Sequence, residues 1–235
     1  MLDLVSNCTC PLAAEFRALT PALRNLSRLT ELRLSHNSIG AAGAEALAAP
    51  LVLLTALQVL DLGFNDLQTA GMEALAPALR YLPRLTELHL SDNCIGAAGA
   101  AALAPPLALL TALQALDLSL NDVCSSGAEA LAPALRNLTR LTELRLRRNR
   151  IESAGAAALA PSLGLLTALE ALNMESNKID ATGAEALAPA LGRLTRLKRV
   201  QLLFNVISMN DVVSQRLVAA LPPNCLQISF MQMRR

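Results

Sequence analysis

Residues 29–37 read LTELRLSHN, and residues 57–65 read LQVLDLGFN. Both stretches alternate leucine with other residues and end on an asparagine, and the same pattern returns along the chain. The asparagines recur with a 28-residue period, at Asn37, Asn65, Asn93, Asn121, Asn149, Asn177 and Asn205. A fixed period of this length predicts a repeat array, in which each unit packs against its neighbours.

One repeat, residues 29–56, shows how the pattern translates into structure. Its leucines alternate with polar residues, which predicts a short strand with the leucines inward and Glu31, Arg33 and Ser35 outward. Residues 44–54 carry alanine and leucine at helical spacing. Strands that alternate with helices in this way are expected to be parallel. Because strands stack about 4.8 Å apart and helices about 8–10 Å apart, the strands should line the inside of an arc.

The predicted helices contain prolines. Proline removes a helical hydrogen bond and clashes with the preceding turn, so we predict a bend or a break at Pro50, Pro77, Pro105, Pro133, Pro161 and Pro189.

A 56-residue period separates repeats that open after an arginine from repeats that open after an alanine. The first kind begins at Leu29, Leu85 and Leu141, and the second at Leu57, Leu113 and Leu169. Pairs of repeats are therefore inferred to have duplicated together.

The ends of the array depart from the pattern. Residues 2–7 read LDLVSN, the end of a strand with Asn7 in the asparagine position, so residues 1–28 are predicted to be a partial repeat. Main repeats follow at 29–209, and residues 210–235 are predicted to form a terminating helix and strand, with Met233 in the place of the asparagine. We expect a single domain over residues 1–235, whose uncapped first strand could meet an upstream domain or a second copy.

Charge and cysteine content narrow the class of protein. The formal net charge of +1 argues against a nucleic-acid partner, which usually requires a strong positive field. Cysteines 8, 10, 94, 124 and 225 show no paired spacing, which predicts free thiols and a cytoplasmic protein. Residues 94–116 carry no charge, but their glycines and the pair Pro105 and Pro106 indicate a repeat core and not a membrane span. No cofactor is expected.

The motif Leu-x-x-Leu-x-Leu-x-x-Asn-x-Leu/Ile, together with GAAGAEALA at residues 40–48, resembles the ribonuclease-inhibitor type of leucine-rich repeat. The resemblance implies an α/β solenoid shaped like a horseshoe, with parallel strands on the concave face and helices on the convex face. It also implies a non-catalytic scaffold that binds a protein on the concave sheet. Similar arrays occur in NOD-like receptors and in the Ran GTPase-activating protein. A Ran-type activator and a ligand-sensing receptor fragment are therefore the alternatives.

The repeated asparagine is expected to be structural. It follows an inward leucine, so its amide lies at the edge of the core, where an unpaired polar group costs about 1–3 kcal/mol. Stacked copies predict a ladder of hydrogen bonds to the backbone of neighbouring turns. Function is expected in the variable columns beside this ladder.

The first such column faces the concavity and consists of Arg33, Asp61, His89, Asp117, Arg145, Asn173 and Gln201. It fits a polar recognition surface, and it also fits a solvated ladder of weak cross-strand pairs. A third interpretation is a metal or acid–base site at Asp61, His89 and Asp117, because imidazole and carboxylate are suitable ligands.

The second column lies one step past each strand and consists of His36, Phe64, Asp92, Leu120, Arg148, Ser176 and Phe204. Exposed apolar side chains at Phe64, Leu120 and Phe204 would indicate a protein interface, unless they fold back over the turn. A basic cluster, which consists of Arg145, Arg147, Arg148 and Arg150, fits either an acidic partner or a solvated turn. The predicted partner-binding residues are Arg33, Asp61, Phe64, His89, Asp117, Leu120, Arg145, Arg147, Arg148 and Phe204.

Overall fold

The structure, a computed structural model, describes residues 1–4, 21–207, 212–223, 225 and 227–229. Within this part of the chain, nine strands form one parallel sheet in chain order. The strands, β1 to β9, are Leu2–Asp3, Glu31–Arg33, Val59–Asp61, Glu87–His89, Ala115–Asp117, Glu143–Arg145, Ala171–Asn173, Arg199–Gln201 and Gln227–Ser229. Leu32 pairs with Leu60, and Leu60 pairs with Leu88. The 28-residue period of the sequence is therefore the register of the sheet.

Helices cover the other side of the core, and each packs against the next in the chain. The described helices, α1 to α7, are Gly40–Leu51, Gln68–Leu79, Gly96–Leu107, Cys124–Leu135, Glu152–Leu163, Ala181–Leu191 and Val212–Ala220. The predicted α/β solenoid, with strands inside and helices outside, is confirmed. The uncharged segment 94–116 contains α3 and the start of β5. Among the described helices, none has both the length and the apolarity that crossing a membrane requires.

The core consists of leucines from the strands and alanines and leucines from the helices. Leu32, Leu60 and Leu88 are fully buried. A glycine at the same position of successive helices allows these helices to pack closely. A Cβ atom on Gly127 would lie 3.1 Å from the Cα atom of Ala97 on the preceding helix. Ser35 was expected to point outward, but it is only 7% exposed, because β2 ends at Arg33 and the alternation of the strand no longer applies at this position.

Contrary to one form of the prediction, the helices do not break at their prolines. Pro50 and Pro106 are the next-to-last residues of α1 and α3, and the other helical prolines stand one position earlier in their helices. Each helix continues through its proline and ends one or two residues later. Near a helix end the proline disrupts less than one full turn, so it marks the end of the helix instead of bending it.

Both edges of the described sheet are formed by the short strands expected at the ends of the array. β1 pairs with β2 through Leu2 and Leu32, and β9 pairs with β8 through Ile228 and Val200. The expected terminating helix is α7, Val212–Ala220. Asn7 and Met233 lie outside the described residues, and the single domain over residues 1–235 stays a prediction.

Helix α6 has a side-chain cap that α1 to α5 lack. The Asp180 carboxylate accepts hydrogen bonds from the Ser153 hydroxyl at 2.6 Å and from the Thr182 backbone N–H at 2.8 Å. The hydrogen bonds from Ser153 and Thr182 lower the pKa of Asp180 to about 2. Ser153 belongs to the preceding repeat, so this carboxylate links α6 to its neighbour.

We expect this link to make stability depend on pH. Because the folded-state pKa of Asp180 is lowered, its ionised form stabilises the protein above about pH 4, and the contribution is lost as the pH falls towards 2. The contribution should be about 1 kcal/mol, since the group is partly exposed. Urea unfolding at pH 5 and pH 2.5 checks this, with Asp180→Asn as the control that cannot ionise. An equal stability difference between the two proteins at both pH values would contradict it.

Candidate protein-binding surface on the concave face

Two columns of side chains line the concave face, from the first and third residues of each strand. Backbone pairing places the third residues side by side, in the order Arg33, Asp61, His89, Asp117, Arg145, Asn173, Gln201. The first residues follow the order Glu31, Val59, Glu87, Ala115, Glu143, Ala171, Arg199. The residue between them points into the core, so both columns face the same side.

In β2 and β6 an ion pair within the strand joins the two columns, and in β4 the Glu87 carboxylate contacts the His89 imidazole in the same way. The contacts are Glu31 to Arg33 at 3.2 Å, Glu87 to His89 at 3.3 Å and Glu143 to Arg145 at 2.8 Å. All of these side chains are partly exposed, so each pair contributes at most about 1 kcal/mol to stability. Their main effect is to hold long charged side chains in fixed positions above the sheet.

In β3, β5 and β7 the side chain of the third residue instead accepts a hydrogen bond from the turn that follows the same strand. Oδ1 atoms of Asp61, Asp117 and Asn173 accept backbone N–H bonds at 2.9–3.0 Å from Gly63, Ser119 and Glu175, respectively. The first residues of these strands are small and apolar: Val59, Ala115 and Ala171. The 56-residue period therefore also describes the concave face, where ion-paired strands alternate with strands that bond to their own turn.

The centre of the concave face is acidic. Asp61, Glu87 and Asp117 come from three successive strands, and His89 lies among them. Cations are concentrated further along the sheet, where Arg145 lies 3.6 Å from Asp117 and 2.8 Å from Glu143. A shallow hollow of about 170 Å³ adjoins these residues and is lined by Glu143, Arg145, Ala171, Asn173, Arg199 and Gln201 among others. The face thus changes from acidic to mixed charge along the array.

Asp61, His89 and Asp117, for which a metal or acid–base site was one of three interpretations and no metal site was predicted, make separate contacts in the structure. The His89 Nε2 atom contacts Glu87 Oε2 at 3.3 Å, and both aspartates accept hydrogen bonds from their turns. Within the described residues, no group of three histidine, cysteine or carboxylate side chains is placed to hold a metal ion. The reason is geometric, because His89 contacts Glu87 of its own strand and each aspartate binds the turn that follows its strand, so the three side chains do not converge on one point.

The second column has a backbone conformation that the sequence did not indicate. All seven members are left-handed, with φ between 53° and 60°. Phe64 is 42% exposed and Phe204 is 58% exposed, whereas Leu120 is half-buried and less open than expected. The Phe64 ring stacks on the imidazole of His36, with centroids 4.1 Å apart. The aromatic rings therefore lie along the ridge of turns beside the concavity.

The basic cluster of β6 and its turn is largely paired. Arg147 Nε lies 3.3 Å from Glu175 Oε1, without the alignment of a hydrogen bond, and Arg150 Nε lies 3.1 Å from Asp122 Oδ1. Arg148 is exposed, and no ion pair involves it within the described part of the chain. Arg148 is therefore the member of the cluster that is most open to a partner.

The asparagines lie beneath these columns and connect successive turns. Asn121 Nδ2 donates to the carbonyl oxygens of Leu90 and Leu118 at 2.8 and 3.0 Å, and Asn121 Oδ1 accepts from the Asn93 N–H at 3.0 Å. Equivalent bonds between adjacent repeats link Asn37, Asn65, Asn93, Asn121, Asn149, Asn177 and Asn205. Left-handed residues flank Asn93, and the N–H groups of Asn93 and Ile95, two residues apart, both donate to Asn121 Oδ1 at 3.0 and 3.5 Å.

Sequence reasoning placed Glu31 outward but did not extend this to the other members of the first column of the concave face. Glu87, Glu143 and Arg199 stand two residues before members of the predicted column, and side chains two apart in a strand share one face. The recurrence of glutamate at Glu31, Glu87 and Glu143, with a cation or histidine two residues later, was the available signal.

Comparison with known proteins agrees with this architecture. A model of the leucine-rich repeat family matches residues 26–48, 54–76, 82–104, 110–132, 137–160 and 166–188. These segments make up more than half of the chain, which therefore belongs to the leucine-rich repeat family. A search of curated proteins finds no match. Among solved structures, the chain is similar to internalin C2 from Listeria monocytogenes strain 4b F2365, at 21% identity and a TM-score of 0.57. The alignment covers 94% of this chain and 96% of the internalin, and it shows a shared fold.

Proposed function

We propose that the protein is a non-catalytic scaffold that binds a protein partner on its concave face and the adjoining turns. Leucine-rich repeat proteins generally act as protein-interaction scaffolds. The observation that carries the proposal here is the row of in-strand contacts that Glu31, Glu87 and Glu143 make with the residue two positions later, which holds polar side chains in fixed positions on an open surface. Preorganised side chains lose less entropy on binding.

The acidic centre indicates the chemistry of the partner. Asp61, Glu87 and Asp117 would attract a basic segment, and complementary charge raises association rates and disfavours acidic competitors. Exposed Phe64 and Phe204 on the neighbouring ridge would add apolar contacts at the border of the interface. The predicted binding residues Arg33, His89, Leu120, Arg145, Arg147 and Arg148 belong to the same proposed surface.

The proposal also covers the subclass of leucine-rich repeat and the location of the protein in the cell. The ribonuclease-inhibitor subclass is supported by the 28-residue register and by convex helices of eleven or twelve residues in the full repeats. A cytoplasmic location is supported by free thiols at Cys94, Cys124 and Cys225. Association with a second copy or an upstream domain at β1, a Ran-type activator and a receptor fragment stay predictions from the sequence.

Charge reversal on the concave face is expected to abolish partner capture. In Glu31→Lys/Glu87→Lys, the two substitutions remove the acidic ends of two in-strand pairs and make no demand on the core. The matched control is Glu73→Lys/Glu129→Lys, which makes the same charge change on exposed positions of the convex helices α2 and α4. Quantitative mass spectrometry of proteins retained from cell extract compares both variants with the wild type.

A protein retained by the wild type and by the convex control, but reduced at least tenfold with the concave variant, supports the proposal. Equal losses from both variants would place the binding surface elsewhere. Circular dichroism and melting temperature establish that both variants keep the wild-type fold, so that a loss of capture reports on the surface.

A further inference from the structure

The edge of the sheet at which the strands begin has an unusual charge. We define the basic rim as the loops at residues 24–30, 52–58, 80–86, 108–114, 136–142, 164–170 and 192–198, which join each helix to the next strand. Its nine basic residues are Arg24, Arg28, Arg80, Arg84, Arg136, Arg140, Arg193, Arg196 and Lys198, and its one acid is Glu170. The rest of the chain carries eleven basic and eighteen acidic residues. A net charge near zero therefore conceals a strongly positive edge.

The positive charge of the rim is not cancelled by local pairing. All eight arginines are exposed, and none forms an ion pair within the described residues. Elsewhere, ion pairs involve Arg33, Arg145, Arg147, Arg150, Arg199 and Arg216. The one acid of the rim, Glu170, is held by Lys198 at 2.6 Å, and this hydrogen bond lowers the pKa of Glu170.

Stabilisation of helix ends by arginine explains only part of the positive charge on the basic rim. Arg80 and Arg136 are the C-terminal cap residues of α2 and α4, where a cation interacts favourably with the helix dipole. Arg84 and Arg140 stand four residues further on, in the turn that leads into the next strand. Stabilisation of a helix end falls off within about one turn, so it does not account for the second arginine in each of these loops.

Large apolar side chains are exposed on the same rim. Leu53 is 46% exposed, Leu109 is 54% exposed and Leu165 is 45% exposed, and all three belong to loops without arginine. Tyr81 is 48% exposed, and its ring lies 5.7 Å from the Arg80 guanidinium. A shallow apolar hollow of about 310 Å³ is lined by Arg80, Leu109 and the neighbouring prolines. Cationic and apolar side chains thus alternate along one continuous surface.

We propose that the basic rim docks the protein on the surface of a membrane that contains anionic phospholipids. Guanidinium groups bind phosphate through paired hydrogen bonds. The exposed leucines and tyrosine would enter the boundary between headgroups and acyl chains, as on interfacial helices. All seven loops lie at one edge of a single sheet, so several can contact a broad surface together. The concave face stays open to a protein partner in this orientation.

A membrane surface fits the rim better than a nucleic acid does. Nucleic-acid phosphates would pair with the same arginines, but Leu53, Leu109 and Leu165 would remain exposed to water. Single-stranded nucleic acid is usually held by several stacked aromatic rings, and Tyr81 is the one aromatic residue of the rim. The proposal concerns binding at a membrane surface, and no span is required.

Vesicle sedimentation with the full chain tests the proposal. Wild-type protein should sediment with phosphatidylcholine vesicles to which phosphatidylserine has been added, but not with pure phosphatidylcholine. Arg84→Gln/Arg140→Gln should weaken partitioning by about thirtyfold, because each arginine near an anionic surface contributes about a fivefold factor. Leu53→Ser/Leu109→Ser/Leu165→Ser should weaken it severalfold. The matched control, Arg150→Gln/Lys178→Gln, removes the same charge from exposed turns at the opposite edge of the sheet and should bind vesicles like the wild type.

The remaining outcomes overturn the proposal. Failure of the wild type to sediment with anionic vesicles at low ionic strength excludes membrane docking. Equal losses in the rim and control variants show that net charge matters and the rim does not. If single-stranded DNA binds more tightly than vesicles and the leucine variant keeps full affinity for both, the rim is a nucleic-acid site. The substituted rim arginines are exposed and form no ion pair within the described residues, and Arg150 forms one exposed ion pair with Asp122, so these variants are expected to fold, and melting temperatures check this.

Discussion

Replacing Asn121 with alanine should lower the free energy of unfolding by about 3–5 kcal/mol, because several buried polar groups lose their partners together. The Asn121 side chain donates to the carbonyl oxygens of Leu90 and Leu118 and accepts from the Asn93 N–H. Asn121 itself is fully buried, so water cannot replace these bonds without opening the turn. For a chain of this length the melting temperature should fall by about 10 °C.

Asn137→Ala makes the same chemical change at an exposed position of the basic rim, where the amide makes one long bond of 3.3 Å to Ala108. This control should lose less than about 1 kcal/mol. Arg145→Ala should likewise leave stability nearly unchanged, because its ion pairs are partly exposed. Urea unfolding of the three variants provides the comparison, and equal stability of Asn121→Ala and the wild type would refute the structural role of the ladder.

Adding a single methyl group at Gly183 should also destabilise the array, by about 2 kcal/mol, because the site has no room for it. A Cβ at this position would lie 2.7 Å from Ile179 Cγ2 and 2.9 Å from the Cα atom of Ser153 on the preceding helix. Contacts this short require a shift of the backbone, and overpacking of this kind costs about 1–3 kcal/mol. The loss should exceed the stabilisation of about 1 kcal/mol that alanine usually provides in a helix.

The matched control is Gly164→Ala, in which the new methyl group would meet no atom closer than 3.4 Å. The Gly164 backbone is already in the helical region, so alanine should stabilise the protein by about 0.5–1 kcal/mol. The same substitution is therefore expected to act in opposite directions at the two glycines. Unfolding curves that move in the same direction for both variants would show that helices α5 and α6 are less tightly packed than these distances indicate.

The fold was largely predictable because one period controls every level of it. Seven asparagines in register define the pairing of the strands, and the spacing of leucine defines the side of each strand that is buried. The third-residue column of the concave face followed from the same register, and it is aligned as expected from Arg33 to Gln201. Periodicity is a property of the sequence, so these features did not require knowledge of side-chain contacts.

Features that depend on particular contacts were not predictable. The metal hypothesis failed because Glu87, two residues from His89, is a closer partner than either aspartate across the sheet. The left-handed backbone at Phe64 and Phe204 is unusual for a large side chain, and no residue preference indicated it. The Asp180 cap depends on Ser153, which lies in the preceding repeat. Each of these three features depends on the positions of individual side chains or on a local backbone conformation, and the repeat pattern of the sequence specifies neither.

The alternation of repeats with and without an in-strand pair restricts which changes in the number of repeats the array tolerates. Removal of two consecutive repeats would join equivalent surfaces, and strands with ion pairs would still alternate with strands without them. Removal of the repeat that contains β3 would set Glu31 directly beside Glu87, and removal of the repeat that contains β5 would set Glu87 beside Glu143. Like charges placed opposite each other on adjacent strands are unfavourable, so length variants that lack one of these two repeats should be less stable than variants that lack a whole pair.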